Sequence, residues 1–503
     1  MKALHRPAFA AAIAGGLAAL AVAAPGQAAP VRSDGGLDAT FAPGGGVTLT
    51  VPNVGLVTTE DAAVQRDGKV VAVGTGTIRC TVNCTTDDRA IVLARYDPAT
   101  HALDPGFGQG GTTVDNVARN GDPAAVVREN VFAVRIQPDG KIVVAGWASV
   151  PGVVNRTFML ARYDERGVPD ASFGDGGHVL VPLRTANAAG DGTIPVDVAQ
   201  GFDVAIQPDG RIVVAGDAFV PFNPLGGEPT GFANVALARY MPDGTLDASF
   251  GQGGVVARDS VPGSAQAVRV QPDGKIVVAG RTPGNGFLVA RYLPDGSVDR
   301  GFGTNGSATA DFGVLAPTAS ASALVVQRDG TIVATGKVEY LRRDVPGFRF
   351  DDAGVLALNP DGTPATRFDG DGVKLVDLER HRAFNVTGLV DNRPLLSLRA
   401  GSIVIGGTVL TEQNELVGKL ARVLPDGTLD AQFGVGGVVT THRGSGLVLK
   451  GLVAQPDGKL VAVGDENRAG PALLRYRQDA ICTSISCLRP PLGPQIPPRG
   501  AVR

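Results

Sequence analysis

The sequence predicts an all-β protein, and three observations support that prediction. Of the 503 residues, 70 are glycine and 35 are proline, and both residue types disfavour the interior of an α-helix. Short β-branched runs such as 275–280 (KIVVAG) recur between turn sequences, as is typical of strands. Three motifs also return in a fixed order along the chain. A hydrophobic content of 44% with 19% charged residues indicates a folded chain.

Residues 1–28 are predicted to be a signal peptide. Lys2 and Arg6 provide a basic start, residues 8–24 are apolar, and small residues precede a cleavage site after Ala28. The alternative is a membrane-spanning helix, but an apolar run of about 17 residues is at the lower limit for a span. We therefore expect an exported protein whose mature chain has no membrane span.

Four cysteines form two close pairs, Cys80 with Cys84 and Cys482 with Cys487. Four cysteines allow three disulfide connectivities, and we favour pairing within each loop. A zinc site is the alternative, but tetrahedral zinc needs two half-sites brought together. The two pairs are far apart in the sequence, so we predict disulfides and no metal.

Self-similarity dominates the chain. The first motif, close to Leu-Asp-x-x-Phe-Gly-x-Gly-Gly, has its phenylalanine at Phe41, Phe107, Phe173, Phe250, Phe302, Phe368 and Phe433. The second, close to Gln-Pro-Asp-Gly-Lys-Ile-Val-Val-Ala-Gly, occupies 65–74, 137–146, 207–216, 271–280, 327–336, 398–407 and 455–464. The third, Leu-Ala-Arg-Tyr or a relative, occupies 93–96, 160–163, 237–240, 289–292, 356–359, 420–423 and 473–476. Seven copies in one order indicate seven structural units.

Each unit is predicted to contain four strands. In the copy over 265–306, the strands are expected at 265–271, 275–280, 287–292 and 297–302. Pro-Asp-Gly sequences separate the first strand from the second and the third from the fourth, and they are typical of tight turns. Four antiparallel strands repeated at this spacing predict a β-propeller blade.

The phase of the repeats predicts a closed ring. Residues 37–41 have the sequence of a fourth strand without the first three, whereas 447–476 supply three strands without a fourth. Pairing of these two segments would remove the exposed sheet edges. We therefore predict a single seven-bladed β-propeller over 37–479, closed by the N-terminal strand on the last blade. A linker over 29–36 precedes it, and a cysteine-containing, proline-rich tail over 480–503 follows.

The motifs resemble the bacterial delta-60 repeat family, and their strand-turn-strand pattern is similar to NHL-type propeller blades. The resemblance covers about 37–476. The sixth copies of two motifs differ from the family pattern. The first motif lacks its leading Leu-Asp at 364–372, and the second lacks its Pro-Asp-Gly turn at 393–401. The resemblance implies an exported repeat protein without an agreed biochemical activity, so no functional residue is carried over.

Several function classes find no support in the sequence. Proteins that bind nucleic acids usually carry an excess of positive charge, whereas the net charge of this chain is −3. No nucleophile elbow, zinc-binding His-Glu-x-x-His or phosphate-binding loop occurs, and we interpret His101, His178, His381 and His442 as loop residues. The repeated Asp before Gly is explained by turns rather than by calcium, with 368–372 the densest exception. We predict no catalytic residue and no cofactor.

The connections between strands differ in length on the two faces of the predicted ring. All the long ones join second to third strands or fourth strands to the next blade, and these share one face: Thr75–Arg89, His178–Gln200, Asp217–Asn234 and Lys337–Gly354. Loops on a rigid scaffold often carry binding. The candidate binding residues in these loops are aromatic residues near charged ones: Phe219, Phe222, Phe232, Tyr340, Arg342, Arg343, Asp344, Phe348, Arg349 and Phe350. The alternative is that they pack against neighbouring loops.

Two functions remain open at this point. The first is a secreted, monomeric and non-catalytic scaffold that binds an unidentified extracellular or cell-surface partner, with cell-wall association as a variant. The second is a propeller enzyme, a metal-assisted hydrolase or lyase, working at the central channel. The first strands supply mostly apolar residues, Arg and Gln. These residue types are poor metal ligands, so they favour the non-catalytic scaffold over the metal-dependent enzyme.

Overall fold

The structure is a computed structural model of the chain. It describes the following residues: 36–52, 54–78, 89–117, 128–150, 154–180, 184–186, 193–195, 198–219, 234–257, 260–341, 349–378, 389–391, 395–398, 401–411, 415–444, 446–466 and 470–477. These residues form an all-β architecture of seven four-stranded antiparallel blades arranged in a ring, as predicted.

Each blade is built outward from a first strand beside the ring axis. The first strands are β2 (Val54–Val64), β7 (Arg128–Ile136), β13 (Val198–Ile206), β17 (Ser264–Val270), β21 (Leu315–Val326), the split pair β25 (Leu389–Asp391) and β26 (Leu395–Ser397), and β30 (Leu447–Ala454). The second strands are β3 (Val70–Ile78), β8 (Ile142–Val150), β14 (Ile212–Phe219), β18 (Ile276–Arg281), β22 (Ile332–Leu341), β27 (Ile403–Leu410) and β31 (Leu460–Glu466).

The outer half of each blade consists of a long and a short strand. The third strands are β4 (Arg89–Asp97), β9 (Val154–Tyr163), β15 (Asn234–Tyr240), β19 (Phe287–Tyr292), β23 (Arg349–Leu358), β28 (Leu416–Val423) and β32 (Gly470–Tyr476). The fourth strands are β6 (Thr112–Asp115), β10 (His178–Leu180), β16 (Val255–Val256), β20 (Ser307–Thr309), β24 (Val373–Val376), β29 (Val438–Thr441) and β1 (Gly46–Thr48). The remaining elements are β5 (Ala102–Leu103), the pair β11 (Arg184–Ala186) and β12 (Thr193–Pro195), and a 3-10 helix over Pro43–Gly45.

The ring closes through the N-terminal strand, as the repeat phase predicts. β1 pairs antiparallel with β32, with Gly46 opposite Leu474 and Thr48 opposite Ala472. The first strands also contact one another in order around the axis, and β30 contacts β2. Blade seven is therefore completed by residues from the two ends of the described chain, and no blade edge is left between the first and the last copy.

The fourth strand lies later in each repeat than the sequence predicted. The segments expected to be fourth strands, 37–41 and 297–302, form only single bridges from Leu37 to Tyr476 and from Val298 to Tyr292 before turning. The reason is the glycine-rich end of the first motif. In blade three, Gly251, Gly253 and Gly254 have φ of 54°, 65° and 99°, which β-strands do not adopt. The motif is therefore a structured turn, and the paired strand follows it.

Every described first strand except the split one carries a β-bulge near its middle. In blade four the register shifts between Ala265 and Ala267. The bulge brings the Ser264 carbonyl against Gly280, where an added Cβ would lie 1.9 Å from that oxygen. The glycine that ends the second motif is thus required by the close approach of the bulged strand.

The antiparallel order gives the ring two distinct faces. Connections from first to second and from third to fourth strands share one face, which carries the repeated motifs and is called the motif face here. Connections from second to third strands and between blades share the other, called the long-loop face. On the motif face the connection from Tyr292 to Ser307 contains both a Pro-Asp-Gly turn and the first motif, so this connection is longer than predicted.

Candidate functional site

The motif face is built around a charged and aromatic cluster that recurs from blade to blade. In blade four, the Nε of Arg291 donates to Asp299 Oδ2 at 2.8 Å. The Nζ of Lys275 lies 3.3 Å from the same oxygen. The guanidinium carbon of Arg291 lies 4.5 Å from the centroid of the Phe302 ring. One residue from the second motif, one from the third and two from the first thus meet at one point. This arrangement is called the Arg–Asp–Phe cluster here.

This cluster also joins each blade to the next. The Nη1 of Arg291 donates to the Pro360 carbonyl in the turn of blade five. The amide of Gly303 donates to the Asp361 carbonyl in the same turn at 2.8 Å. Because hydrogen bonds from charged donors are among the stronger ones, the cluster ties neighbouring blades together on the motif face.

Six of the seven blades have the cluster. Its arginine, aspartate and phenylalanine are Arg95, Asp104 and Phe107; Arg162, Asp170 and Phe173; Arg239, Asp247 and Phe250; Arg291, Asp299 and Phe302; Arg422, Asp430 and Phe433; and Arg475, Asp38 and Phe41. Blade five has Ala357 and Ala365 at the first two positions, both 1% exposed, because Ala357 lies opposite Val333 as Arg291 lies opposite Val277. The third motif of blade five therefore lies at 355–358, one residue earlier than the predicted 356–359. Sequence analysis placed these first-motif aspartates in predicted fourth strands and did not predict their arginine partners.

Electrostatics within the cluster favour the ionised aspartate. Burial raises the pKa of Asp247, but hydrogen bonds from Ser249 and the charge of Arg239 outweigh burial and hold it at about 2. The pKa of Asp299 is likewise lowered, because hydrogen bonds from Arg291 and Lys275 exceed the effect of burial. These carboxylates are fully engaged by their own chain, which is typical of structural ion pairs.

A second set of charged residues lies on the first strands around the axis. Arg135 Nη1 lies 2.7 Å from Asp61 Oδ2, and Arg135 Nη2 donates to Asp203 Oδ1. Arg269 Nη1 lies 2.8 Å from Asp203 Oδ2. Asp61, Arg135, Asp203 and Arg269 belong to blades one to four, so charge alternates from blade to blade. This row is called the channel chain here.

The carboxylates of the channel chain also accept backbone hydrogen bonds. Asp61 accepts from the amides of Ala62 and Val134, and Asp203 accepts from those of Val204 and Val268. Burial raises the pKa of Asp61 despite Arg135, whereas two arginines lower the pKa of Asp203 despite burial. Both carboxylates therefore fasten neighbouring first strands, which favours a structural role over metal binding. No group of three or more His, Cys, Asp or Glu side chains suited to a metal occurs among the described residues.

The bulge residues add half-buried side chains to the wall of the same channel. They are Glu60, Phe132, Phe202, Gln266, Ser322 and Lys450. The rings of Phe132 and Phe202 lie 5.2 Å apart, an ordinary distance for an aromatic pair. The sequence shows these residues but not their meeting, because a bulge cannot be located from alternation alone.

The predicted loop residues are only partly within the described chain. Tyr340, near the end of β22, is 7% exposed and its hydroxyl donates to Asp352 Oδ2 at 2.7 Å. Arg349 and Phe350 lie in β23, opposite Leu341 and Tyr340, and Phe219 ends β14. The other candidates lie outside the described residues: Phe222, Phe232, Arg342, Arg343, Asp344 and Phe348. The site assignment therefore remains a prediction.

Several other predicted features lie outside the described residues. They are the signal peptide, the tail, His381 and the four cysteines Cys80, Cys84, Cys482 and Cys487. His178, expected in a loop, instead begins β10, and its Nε2 lies 2.7 Å from Asp115 Oδ2. No helix within the described part of the chain is long and apolar enough to span a membrane.

Comparison with known proteins adds a family model. The model described as "Domain of unknown function (DUF5122) beta-propeller" matches residues 137–173, 207–223, 225–250, 271–302 and 401–433. These segments amount to less than a third of the chain, and they lie over the three repeat motifs in several blades. No curated protein matches the chain.

Solved structures give weak matches. A protein of unknown function from Dyadobacter fermentans is 13% identical with a TM-score of 0.38, covering 74% of this chain and 95% of its own. The polysaccharide lyase Uly1 is 12% identical with a TM-score of 0.40, covering 84% and 90%. A glucose dehydrogenase is 13% identical with a TM-score of 0.34, covering 86% and 99%. These values are too low to transfer an activity. The strand topology and the family-model matches together identify the chain as a seven-bladed β-propeller.

Proposed function

We propose that this chain is an exported, non-catalytic propeller of the delta-60 repeat type that binds a cell-surface partner through its long-loop face. The observation that carries the proposal is the contrast between the faces. On the motif face, the residues that recur in the copies are engaged in contacts within and between blades. Variation in length falls on the opposite face, where a binding surface can change without disturbing the ring.

The candidate contact residues belong to the long connections of blades three and five. They combine aromatic side chains with arginines: Phe219, Phe222, Phe232, Tyr340, Arg342, Arg343, Asp344, Phe348, Arg349 and Phe350. Aromatic and arginine side chains are enriched among residues that dominate binding energy. Since Tyr340 is buried against its own blade, its part in the proposal is to position the strand that leads into the loop.

Blade four supplies a natural design for testing this surface. Its second and third strands are joined by only 282–286 (TPGNG), in which the Thr282 amide donates to the Gly286 carbonyl at 2.9 Å. Arg281 and Phe287 pair directly beside this turn, as Leu341 and Arg349 do in blade five. The short turn can therefore replace a long loop at a matched strand pair.

The test replaces residues 219–233 and 342–348 with TPGNG and measures binding of the labelled protein to cells of the source organism. We expect binding at least about tenfold weaker than wild type, the effect of losing a principal contact, with an unchanged melting temperature. A control variant with three glycines at 467–469, in the equivalent connection of blade seven, should bind like wild type. Equal binding by the loop-replaced and wild-type proteins, or none by wild type, would contradict the proposal.

A further inference from the structure

The two arginines of the channel chain occupy equivalent positions. Arg135 Nη1 donates to the Val134 carbonyl and contacts Asp61 in the preceding blade. Arg269 Nη1 donates to the Val268 carbonyl and contacts Asp203 in the preceding blade. The two guanidinium groups are therefore held in the same way on the side of Nη1.

The two arginines differ on the side of Nη2. Arg135 Nη2 donates to Asp203 of the following blade, so this guanidinium bridges two carboxylates. Within the described residues, neither Nη2 nor Nε of Arg269 has an acceptor at hydrogen-bond distance. The side chain of Arg269 is 34% exposed, against 28% for Arg135. Arg269 thus has donors directed away from its only carboxylate partner.

The register of blade five explains the missing partner. Asp61 and Asp203 are the first residues after the bulge of their strands, opposite Val73 and Ala215. The equivalent residue of β21 is Ala323, which follows the bulge and lies opposite Thr335. A methyl group therefore stands where the alternating pattern calls for a carboxylate, and it packs in the core between blades five and six, where Ala323 is 7% exposed.

We propose that Arg269 binds the carboxylate of a small ligand in the channel, through the Nη2 and Nε donors for which blade five supplies no carboxylate. A carboxylate matches the planar fork of a guanidinium and would complete the charge alternation with an external group. This site lies on the channel wall and does not depend on the binding proposed for the long-loop face.

On the blade-three side of Arg269, the channel wall favours a ligand with an aromatic or apolar body. Phe202 directly precedes Asp203, the carboxylate that Arg269 contacts, and its half-buried ring pairs with Phe132. Ligand sites are typically apolar surfaces with a few polar groups that fix orientation. The ligand class is therefore a small carboxylic acid with an apolar group.

The test measures binding of phenylacetate to the full chain by isothermal titration calorimetry, with neutral phenylacetamide as the comparison. We expect phenylacetate to bind with a dissociation constant below about 10 mM and phenylacetamide to bind at least about tenfold more weakly. Arg269→Gln should weaken phenylacetate to the level of the amide, while Arg300→Gln, at an exposed position of the same blade, should not. Equal binding of acid and amide, or no binding by wild type, would overturn the proposal.

A second variant tests the same site while keeping Arg269. Ala323→Asp should supply the missing carboxylate from within, so that phenylacetate binding is lost while the melting temperature is maintained or raised. Ala323→Asn, of matched size but uncharged, should retain part of the binding. Wild-type affinity in a folded Ala323→Asp variant would overturn the proposal, since the internal carboxylate would then leave the ligand site intact.

Discussion

Blades four and five have the same four strands but different chemistry at the Arg–Asp–Phe position. Blade four buries Arg291 against Asp299 at 7% and 9% exposure, whereas blade five has Ala357 and Ala365 at these positions. The second-motif lysine is replaced as well, since Lys275 of blade four corresponds to Thr331. The phenylalanine is retained in both.

The difference indicates that the charged residues of the cluster are exchanged as a unit. A buried arginine without its carboxylate is strongly destabilising, whereas replacing both partners by apolar residues is often close to neutral. Blade five still joins blade six on the motif face, since the Asp369 amide donates to the Asp426 carbonyl at 2.9 Å. The ring therefore closes between blades five and six without this ion pair.

The largest expected effect comes from breaking the pair in blade four. Asp299→Ala leaves the buried Arg291 without a carboxylate, and we expect the free energy of unfolding to fall by about 3–5 kcal/mol. Urea denaturation followed by circular dichroism measures this loss. Asp273→Ala, at an exposed turn of the same blade, is the matched control and should cost less than about 1 kcal/mol. Equal losses from both variants would remove the distinction between buried and exposed aspartates.

The reverse change sharpens the comparison in blade five. Ala357→Arg places a charge at a position that is 1% exposed and whose neighbour in the cluster is Ala365 rather than Asp, so we expect a loss of about 3 kcal/mol. Adding Ala365→Asp should recover most of that loss by restoring the partner found in blade four. Failure of the second substitution to restore stability would show that blade five has diverged beyond these two positions.

A smaller effect is expected from a buried carboxylate on the long-loop side of blade three. Burial raises the pKa of Asp217 from 3.8 to about 6 despite a hydrogen bond from Ser264 and the nearby Arg281. Because the folded state binds this proton more tightly than the unfolded state, its contribution to stability falls as pH rises from about 4 to about 6.

Asp217→Asn should therefore raise the free energy of unfolding at pH 7 by about 1–2 kcal/mol and change it little near pH 4. Denaturation curves of the variant and the wild type at the two pH values test this. A difference of the same size at both pH values would contradict the assignment, since it would not arise from ionisation.

Much of the fold could be predicted from the sequence because each repeat contains its own turn signals. The Pro-Asp-Gly turns and β-branched runs located the first three strands, and the phase of the copies predicted closure by the N-terminal strand. The fourth strand was misplaced because Leu-Asp-x-x-Phe alternates like a strand. The three glycines that follow were the available signal, since Gly251, Gly253 and Gly254 all have positive φ.

The clusters could not be predicted because they join residues from separate motifs. The distance from Arg291 to Asp299 follows from the turn between them, but the approach of Lys275 and Pro360 depends on packing between strands and blades. The channel chain depends on the relative register of four first strands, which alternation within one strand does not reveal. The aspartates of the first motif, which the sequence placed in predicted strands, therefore have arginine partners that the sequence did not reveal.

A double-mutant cycle on Arg291 and Asp299 tests most directly whether the cluster acts as a unit. The free energies of unfolding of Arg291→Ala, Asp299→Ala and the double variant, which recreates the two residues of blade five in blade four, are compared with wild type. We predict that the double variant loses less than the sum of the single losses by at least about 2 kcal/mol. Additive losses would contradict the account, because the two residues would then contribute independently.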